Sequence, residues 1–545
     1  MHATRGETQA ADQFPARRRW TAPAPTHGPG ALAGRLAAGA VCLALVLPLA
    51  AILWRAATDT PGPASVMGLF RLGPADLAAL RFTLWQALLS ALISTLLAVP
   101  VARALARRRF PGRGFVITLM GAPFLLPVIV AVLALLAVFG RGGLVNEGLT
   151  ALGLPAIRIY GLHGVVLAHV FFNLPLAVRL ILQGWQAIPA ERFRLAAQLG
   201  LRPAGVFRLL EAPMLRATLP GTALVIFAIC LSSFAVALTL GGGPAATTVE
   251  LAIYQSFRFD FDLTRAATLA LIQLALVAGT ALVSLRIGRP AGFGSGLDRP
   301  VTRWDADSLP LRLIDGAAIA LAAAFLLVPL AVIVLNGIGG LTRLPASLWP
   351  ATLNSLVVSL AATATTMTLA LAMALARSTW IETTGLLPLA VSGLVLGTGL
   401  FLLVLPFAAP ATLALPVTVL VNTLMALPFA LRILAPVAAK IEAEHGRLAD
   451  HLGLTGLARL RLLTLPRLRP ALGFAAGLTA ALAMGDLGVI ALFADPQQAT
   501  LPLQMHRLMG AYQMQAAQGA ALVLLALSFG LFWIFDRWGR AGAGA

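Results

Sequence analysis

Two stretches decide the reading: LAAQLGLRPAGVFRLLEAPMLRATLPG, residues 195–221, and LADHLGLTGLARLRLLTLPRLRPALGF, residues 448–474. Leu195 and Leu448, Gly200 and Gly453, and Pro213 and Pro466 each lie 253 positions apart, so the register holds without a gap. A weaker match, 269 positions apart, joins TLWQALLSALIST from Thr83 to TLNSLVVSLAATA from Thr352. A chain that repeats at such spacings is built from two copies of one unit. Each copied stretch reads as a short helix, a Gly break, a second short helix and a Pro before the next apolar run. Gly suits the left-handed position that ends a helix, and Pro suits a rigid turn back toward the run that follows.

Outward from these loops the chain is a series of apolar runs. Of its 545 residues 59% are hydrophobic and 11% charged, against about 25% charged in an average soluble protein. A soluble fold could not cover that much apolar surface, and a bilayer can accept it. A spanning helix needs about 20 mostly apolar residues. Six candidates fall near 35–54, 83–105, 115–139, 160–186, 219–240 and 264–286, and six more near 311–337, 353–376, 384–407, 411–435, 470–494 and 517–536. The expected fold is an all-α polytopic membrane protein with about twelve transmembrane helices in two tandem six-helix halves, 35–286 and 311–545. A cytoplasmic disordered tail, 1–34, and a cytoplasmic linker, 287–310, complete it. Arg17, Arg18 and Arg19 precede the first run, which is long enough to be kept as a spanning helix rather than cleaved.

The net charge of +19 would suggest nucleic acid in a soluble protein. Here the arginines sit between apolar runs, where positive-inside signals belong, no nucleic-acid motif accompanies them, and no nucleic-acid partner is expected. With the N-terminus inside, Arg107, Arg108, Arg109 and Arg113 fall inside. So do both repeated loops, the linker with Arg289, Arg299 and Arg303, Arg377, and Arg537 and Arg540 near the C-terminus. The outer loops hold Asp59, Asp76, Asp260, Asp262 and Asp495. Both ends are thus expected in the cytoplasm of a bacterial inner-membrane protein. Two halves of equal topology form a parallel repeat whose axis runs along the membrane normal.

The two loops resemble the coupling-helix motif of bacterial ABC importer permeases: an acid, two alanines, three variable residues and Gly. Counting back from Gly, the copies read Arg194, Leu195, Ala196, Ala197, Gly200 and Arg447, Leu448, Ala449, Asp450, Gly453. Neither has the acid in its usual place, and Leu replaces the first alanine. Glu191 and Glu444 stand three residues earlier in each copy. The resemblance implies that these residues, with Pro213 and Pro466, couple the chain to two cytoplasmic ATP-binding subunits, one per loop. It also implies a periplasmic substrate-binding protein on the outer side and lipid around the helices. The stretches Ser232–Gln273 (SSFAVALTLGGG onward) and Met484–Gln504 (MGDLGVIALFADPQQATLPLQ) look like the permease of the thiamine and thiamine-pyrophosphate importer. Fused permeases for ferric iron share the layout, so both cargoes stay open.

No P-loop is present: the only lysine, Lys440, has no Gly-rich approach. The chain therefore needs no cofactor of its own, and ATP is expected on the partner. There is no HExxH, CxxC or GxSxG motif, and the histidines, His169 among them, are scattered, so no catalytic site is expected. Cys42 and Cys230 fall in apolar runs and read as small buried hydrophobes. Asp486 sits within the eleventh run, where a carboxylate is costly and usually functional; a place near the outer end or a bond to a neighbouring helix is the alternative. Its counterpart 253 positions earlier is Ser233. Ser232, Ser233, Phe234 and Asp486 are the candidates for a substrate path. An acceptor there suits the thiazolium of thiamine, and a carboxylate equally suits iron. The outer segments 241–263 and 495–516 are expected to meet the binding protein. The rival class is an ion-coupled secondary transporter, which would show broken helices and buried carboxylates at the midplane.

Overall fold

The computed structural model describes residues 29–58, 72–121, 125–287, 303, 308–493 and 498–541. Among them every regular element is helical. Eleven helices are long and apolar enough to cross a membrane, and a pair bent by 90° is a twelfth candidate. The chain is an all-α polytopic membrane protein. Spans one to six are Ala31–Thr58, Pro74–Arg107, Val128–Ala151, Leu162–Gln186, Pro203–Leu231 and Leu263–Ser284. Spans seven to twelve are Leu309–Arg343, Leu348–Ala376, the bent pair Thr379–Ala390 with Gly393–Val404, Pro410–His451, Gly456–Phe493 and Met514–Arg540. The first helix begins at Pro29, so residues 29–34 of the expected tail are helical. The rest of that tail, Asp59, Asp495, and 288–302 and 304–307 of the expected linker lie outside the described residues.

Four expected runs are not continuous helices. The run expected over 115–139 divides into Arg113–Leu119 and Val128–Phe139, the second capped by Pro127. Span nine breaks at the matching place. Leu387–Ala390 tightens into a 3-10 turn around Pro388, and the Ser392 hydroxyl accepts the Val395 N–H at 3.1 Å to start the next helix. The run expected over 219–240 ends its helix at Leu231 and restarts at Ala235. The run expected over 470–494 ends at Met484 and restarts at Gly488. Pro127 and Pro388 suit the first two breaks, since proline has no N–H to give a helix and its ring clashes with the carbonyl four residues back; the other two breaks hold no proline. Broken backbone at membrane depth persists only where protein or a cavity, not lipid, surrounds it, so these breaks belong inside the bundle.

Spans one and seven pack on spans distant in the chain. Span one packs on spans eight and nine, and span seven packs on spans two and three. At the first crossing a Cβ on Gly399 would overlap the Pro48 carbonyl. Small residues allow such approach where van der Waals contact must hold the helices together. At the second crossing Asp315 is buried and bonds Arg107 and, at 2.6 Å, Arg108. Burial separates inner from outer helices: 83% of the most apolar window of span four is buried, against 22% for span seven. Span four is central, and span seven turns Leu313, Ile314, Leu321 and Leu335 outward.

Candidate functional site

The repeated loops have the same backbone. In the first, helix Ala190–Gln198 ends at Gly200, whose φ is +62°; in the second, Gly453 has φ +66°. Gly200 N–H donates to the Ala197 carbonyl and Leu201 N–H to the Ala196 carbonyl, both at 3.0 Å. Gly453 N–H donates to Asp450 at 3.1 Å and Leu454 N–H to Ala449 at 2.9 Å. This paired closure is a Schellman motif, and its positive φ is nearly cost-free only for Gly. The side chains outside the turn repeat as well. Leu195 and Leu448 are 56% and 57% exposed, Leu199 and Leu452 both 66%, Leu209 and Leu462 60% and 69%. Three apolar side chains per loop therefore stand free at matching positions.

Pro213 and Pro466 do not make the turns expected of them. Each sits one residue into a helix that continues unbroken from the loop into the span, after a π turn at Phe207–Glu211 and Leu460–Thr464. The wider turn accommodates the missing proline N–H, so loop helix and span form one rod. The approach to the loops differs between copies. Pro189 separates span four from Ala190–Gln198, whereas the second copy has Glu442 at the matching place and runs as one helix, Ala414–His451.

The loops are also fastened differently. Glu211, fully buried, accepts from Arg103 and from Arg303, each at 2.8 Å. Arg303, a residue of the expected linker, also stacks over Phe193 of the loop helix at 4.6 Å. In the second copy Gly446 replaces Phe193, and Arg459 of the loop itself reaches Glu442 at 2.6 Å and Asp450 at 2.7 Å. Glu191 lies exposed in the first turn of its helix, where an acid suits the dipole. Glu444 lies exposed in mid-helix, 3.8 Å from Lys440. The two acids thus occupy unlike local settings.

The breaks of spans five and eleven meet at the centre. Ser232, Ser233 and Phe234 form the first break, and Gly485, Asp486 and Leu487 the second. A Cβ on Gly488 would lie 3.6 Å from the Phe234 ring, and one on Gly485 would lie 3.0 Å from Pro127 Cα. The breaks of spans three, five and eleven therefore touch. Asp486 sits at the restart, where Oδ1 accepts the Gly488 N–H at 3.2 Å and Oδ2 is buried without a partner among the described residues. Ser233 bonds His169 Nε2 at 2.7 Å. Toward the end away from the loops, Phe234 meets Tyr254 at 5.3 Å between ring centres, and Phe401 bridges Phe257 at 5.0 Å and Phe493 at 5.3 Å. A cavity of about 240 Å³ opens beside Phe257, Arg258, Phe401 and Phe493.

No family model matches the chain. Relatives that cover most of it do. The thiamine transport system permease protein ThiP of Brucella abortus (strain 2308) is 40% identical over 470 residues, covering 84% of this chain and 87% of that protein. The protein of that name from Escherichia coli (strain K12) is 40% identical over 479 residues, covering 84% and 88%. The chain belongs to the thiamine transport system permease family. A molybdenum transport system permease protein ModB of Mycobacterium bovis is 32% identical over 224 residues, 41% of this chain but 82% of that protein.

In this thiamine permease family member, sequence reasoning passed over two polar groups near the breaks. His169 is buried on span four; only its place in a long apolar helix could have marked it. Glu250 is buried in Val249–Gln255 and accepts from Gln273 at 3.0 Å, and Gln273 also donates to the Leu231 carbonyl that ends the first part of span five. The signal available was an acid inside TTVELAIYQ, next to an apolar run.

Proposed function

We propose that this chain is the membrane-spanning subunit of a binding-protein-dependent importer that carries thiamine and its phosphate esters into the cytoplasm. The observation that carries the coupling is the duplicated loop: two Schellman turns 253 residues apart, each beside the same three exposed leucines. Apolar side chains on a rigid polar knob serve as anchors for a partner's groove. Two such knobs call for two ATP-binding subunits, which supply the ATP site this chain lacks. The loops and both termini then face the cytoplasm of a bacterial inner membrane. Segments 241–263 and 495–516 receive a periplasmic binding protein, and crosslinks from them to that protein would support the docking.

Residues 35–286 and 311–545 act as two permease halves joined by 287–310. The match to the molybdenum permease covers 41% of this chain and 82% of that protein, a length that suits one such half. Substrate passes between the central breaks, with Asp486 as the anionic wall for a cationic cargo. The relatives named for thiamine favour that cargo over ferric iron.

The broken spans, the half-buried Asp486 and the buried Glu250 are features that an ion-coupled carrier would also show, and they keep that reading as the rival. It leaves the duplicated knobs without a role. Native mass spectrometry of the complex extracted from its own membrane tests the proposal. One permease chain with two ATP-binding chains is expected; a permease without such chains, or with a single one, contradicts it.

A further inference from the structure

The first-half break carries a hydrogen-bonded chain that its second-half counterpart lacks. His169 lies between two serines: Ser90 Oγ of span two is 3.1 Å from Nδ1, and Ser233 Oγ is 2.7 Å from Nε2. The matching residues of the second half are Ser359, Asn422 and Asp486. There Ser359 donates to the Ala480 carbonyl at 2.8 Å, while Asn422 Nδ2 and Asp486 Oδ2 are buried without partners among the described residues. One half therefore offers a supported neutral hydroxyl at the break, and the other a carboxylate with one oxygen unpartnered among the described residues.

A neutral imidazole donates at one ring nitrogen and accepts at the other. With a serine on each nitrogen, the order of protons along the chain is set as a unit. The Ser233 hydroxyl is held in one orientation instead of rotating among its staggered positions. We propose that His169 is a positioning residue for the substrate path: through Ser233 it fixes a neutral hydrogen-bonding wall opposite the anionic wall of Asp486. The pair fits a ligand that joins a cationic ring to a neutral hydrogen-bonding ring. This rests on the thiamine reading, since thiamine joins a thiazolium to an aminopyrimidine.

The test uses the whole transporter in vesicles, with ATP inside and saturating loaded binding protein outside. Uptake is measured for labelled thiamine and for labelled oxythiamine, in which a carbonyl replaces the ring amine. Wild type should favour thiamine. His169→Asn and Ser233→Ala should each slow thiamine about two- to tenfold, the range for losing one oriented hydrogen bond, and move the thiamine-to-oxythiamine ratio toward one. The double variant should be no worse than Ser233→Ala, because both act through one hydroxyl. His169→Gln, whose longer side chain can carry its amide to where Nε2 meets Ser233 while that of Asn stops short, should restore part of the ratio. Ser90→Ala breaks the same chain from its far end and should shift the ratio in the same direction even if His169→Asn fails to accumulate. Equal slowing of both cargoes, or effects that multiply in the double variant, would reduce His169 to a packing residue and overturn the proposal. A wild-type complex that moves neither thiamine nor oxythiamine but another cargo refutes the thiamine reading itself, a result distinct from an unchanged ratio.

Discussion

Substituting Gly200 separates two ways in which the loop could matter. A Cβ at Gly200 would meet nothing within 4 Å, and the same holds at Gly453. Any cost of adding a side chain is therefore backbone strain at φ +62°, not collision inside the chain. For an L-residue the left-handed conformation costs roughly 1–2 kcal/mol, with Asn paying less than Ala and β-branched residues more. That corresponds to about a 5- to 30-fold loss of the closed turn. If the ATP-binding partner docks on the turn as built, uptake and copurification of that partner should fall in the order Asn, Ala, Val, with Asn mildest. The three variants at Gly453 should follow the same order. Thermal unfolding of the detergent-purified chain should barely move, because the turn is exposed. A ranking by size, with Ala mildest and Asn worse, would mean that surface contact and not backbone shape governs docking. Wild-type transport in the Val variants at both positions would remove the loops from the coupling.

Asp486→Asn deletes a charge at nearly constant shape, and losing about 1.4 kcal/mol at the rate-limiting state should slow uptake of a cationic cargo about tenfold. Membrane level should not fall, since a neutral side chain is easier to insert. Unchanged uptake would make Asp486 the cap of the restarted helix and nothing more. Asp315→Ala strands Arg107 and Arg108 in a buried site and should destabilise the chain by about 3–5 kcal/mol, read as a fall in melting temperature with the halves more readily cleaved apart. A melt unaltered by that change would show that the crossing of span seven rests on apolar contact alone. Arg303→Ala removes one of two guanidiniums from buried Glu211, and should raise protease cleavage at Ala190–Gln198 while leaving the second loop, which fastens itself through Arg459, unchanged.

The twelve crossings were legible because apolar length is additive along the chain and needs no knowledge of neighbours. The two loops were legible because the repeat preserved Gly200 and Gly453, whose conformation is local. The breaks at Ser232–Phe234 and Gly485–Leu487 were not, because hydropathy averages across a window and is blind to where a backbone unwinds. Pro213 and Pro466 misled for a related reason: a proline marks a lost hydrogen bond, but a π turn in the preceding residues absorbs it as well as a bend does. Glu211 with Arg103 and Arg303, and His169 with Ser90 and Ser233, join residues 64 to 108 positions apart. No local pattern encodes such pairs, and only the packed bundle brings them together.

The most direct measurement is thiamine uptake by vesicles that hold the permease with its ATP-binding subunits, with the binding protein outside. ATP sealed inside should drive accumulation, and ionophores that collapse proton and sodium gradients should leave it intact. Accumulation without ATP that vanishes with the ionophores would contradict the account and make this chain an ion-coupled carrier.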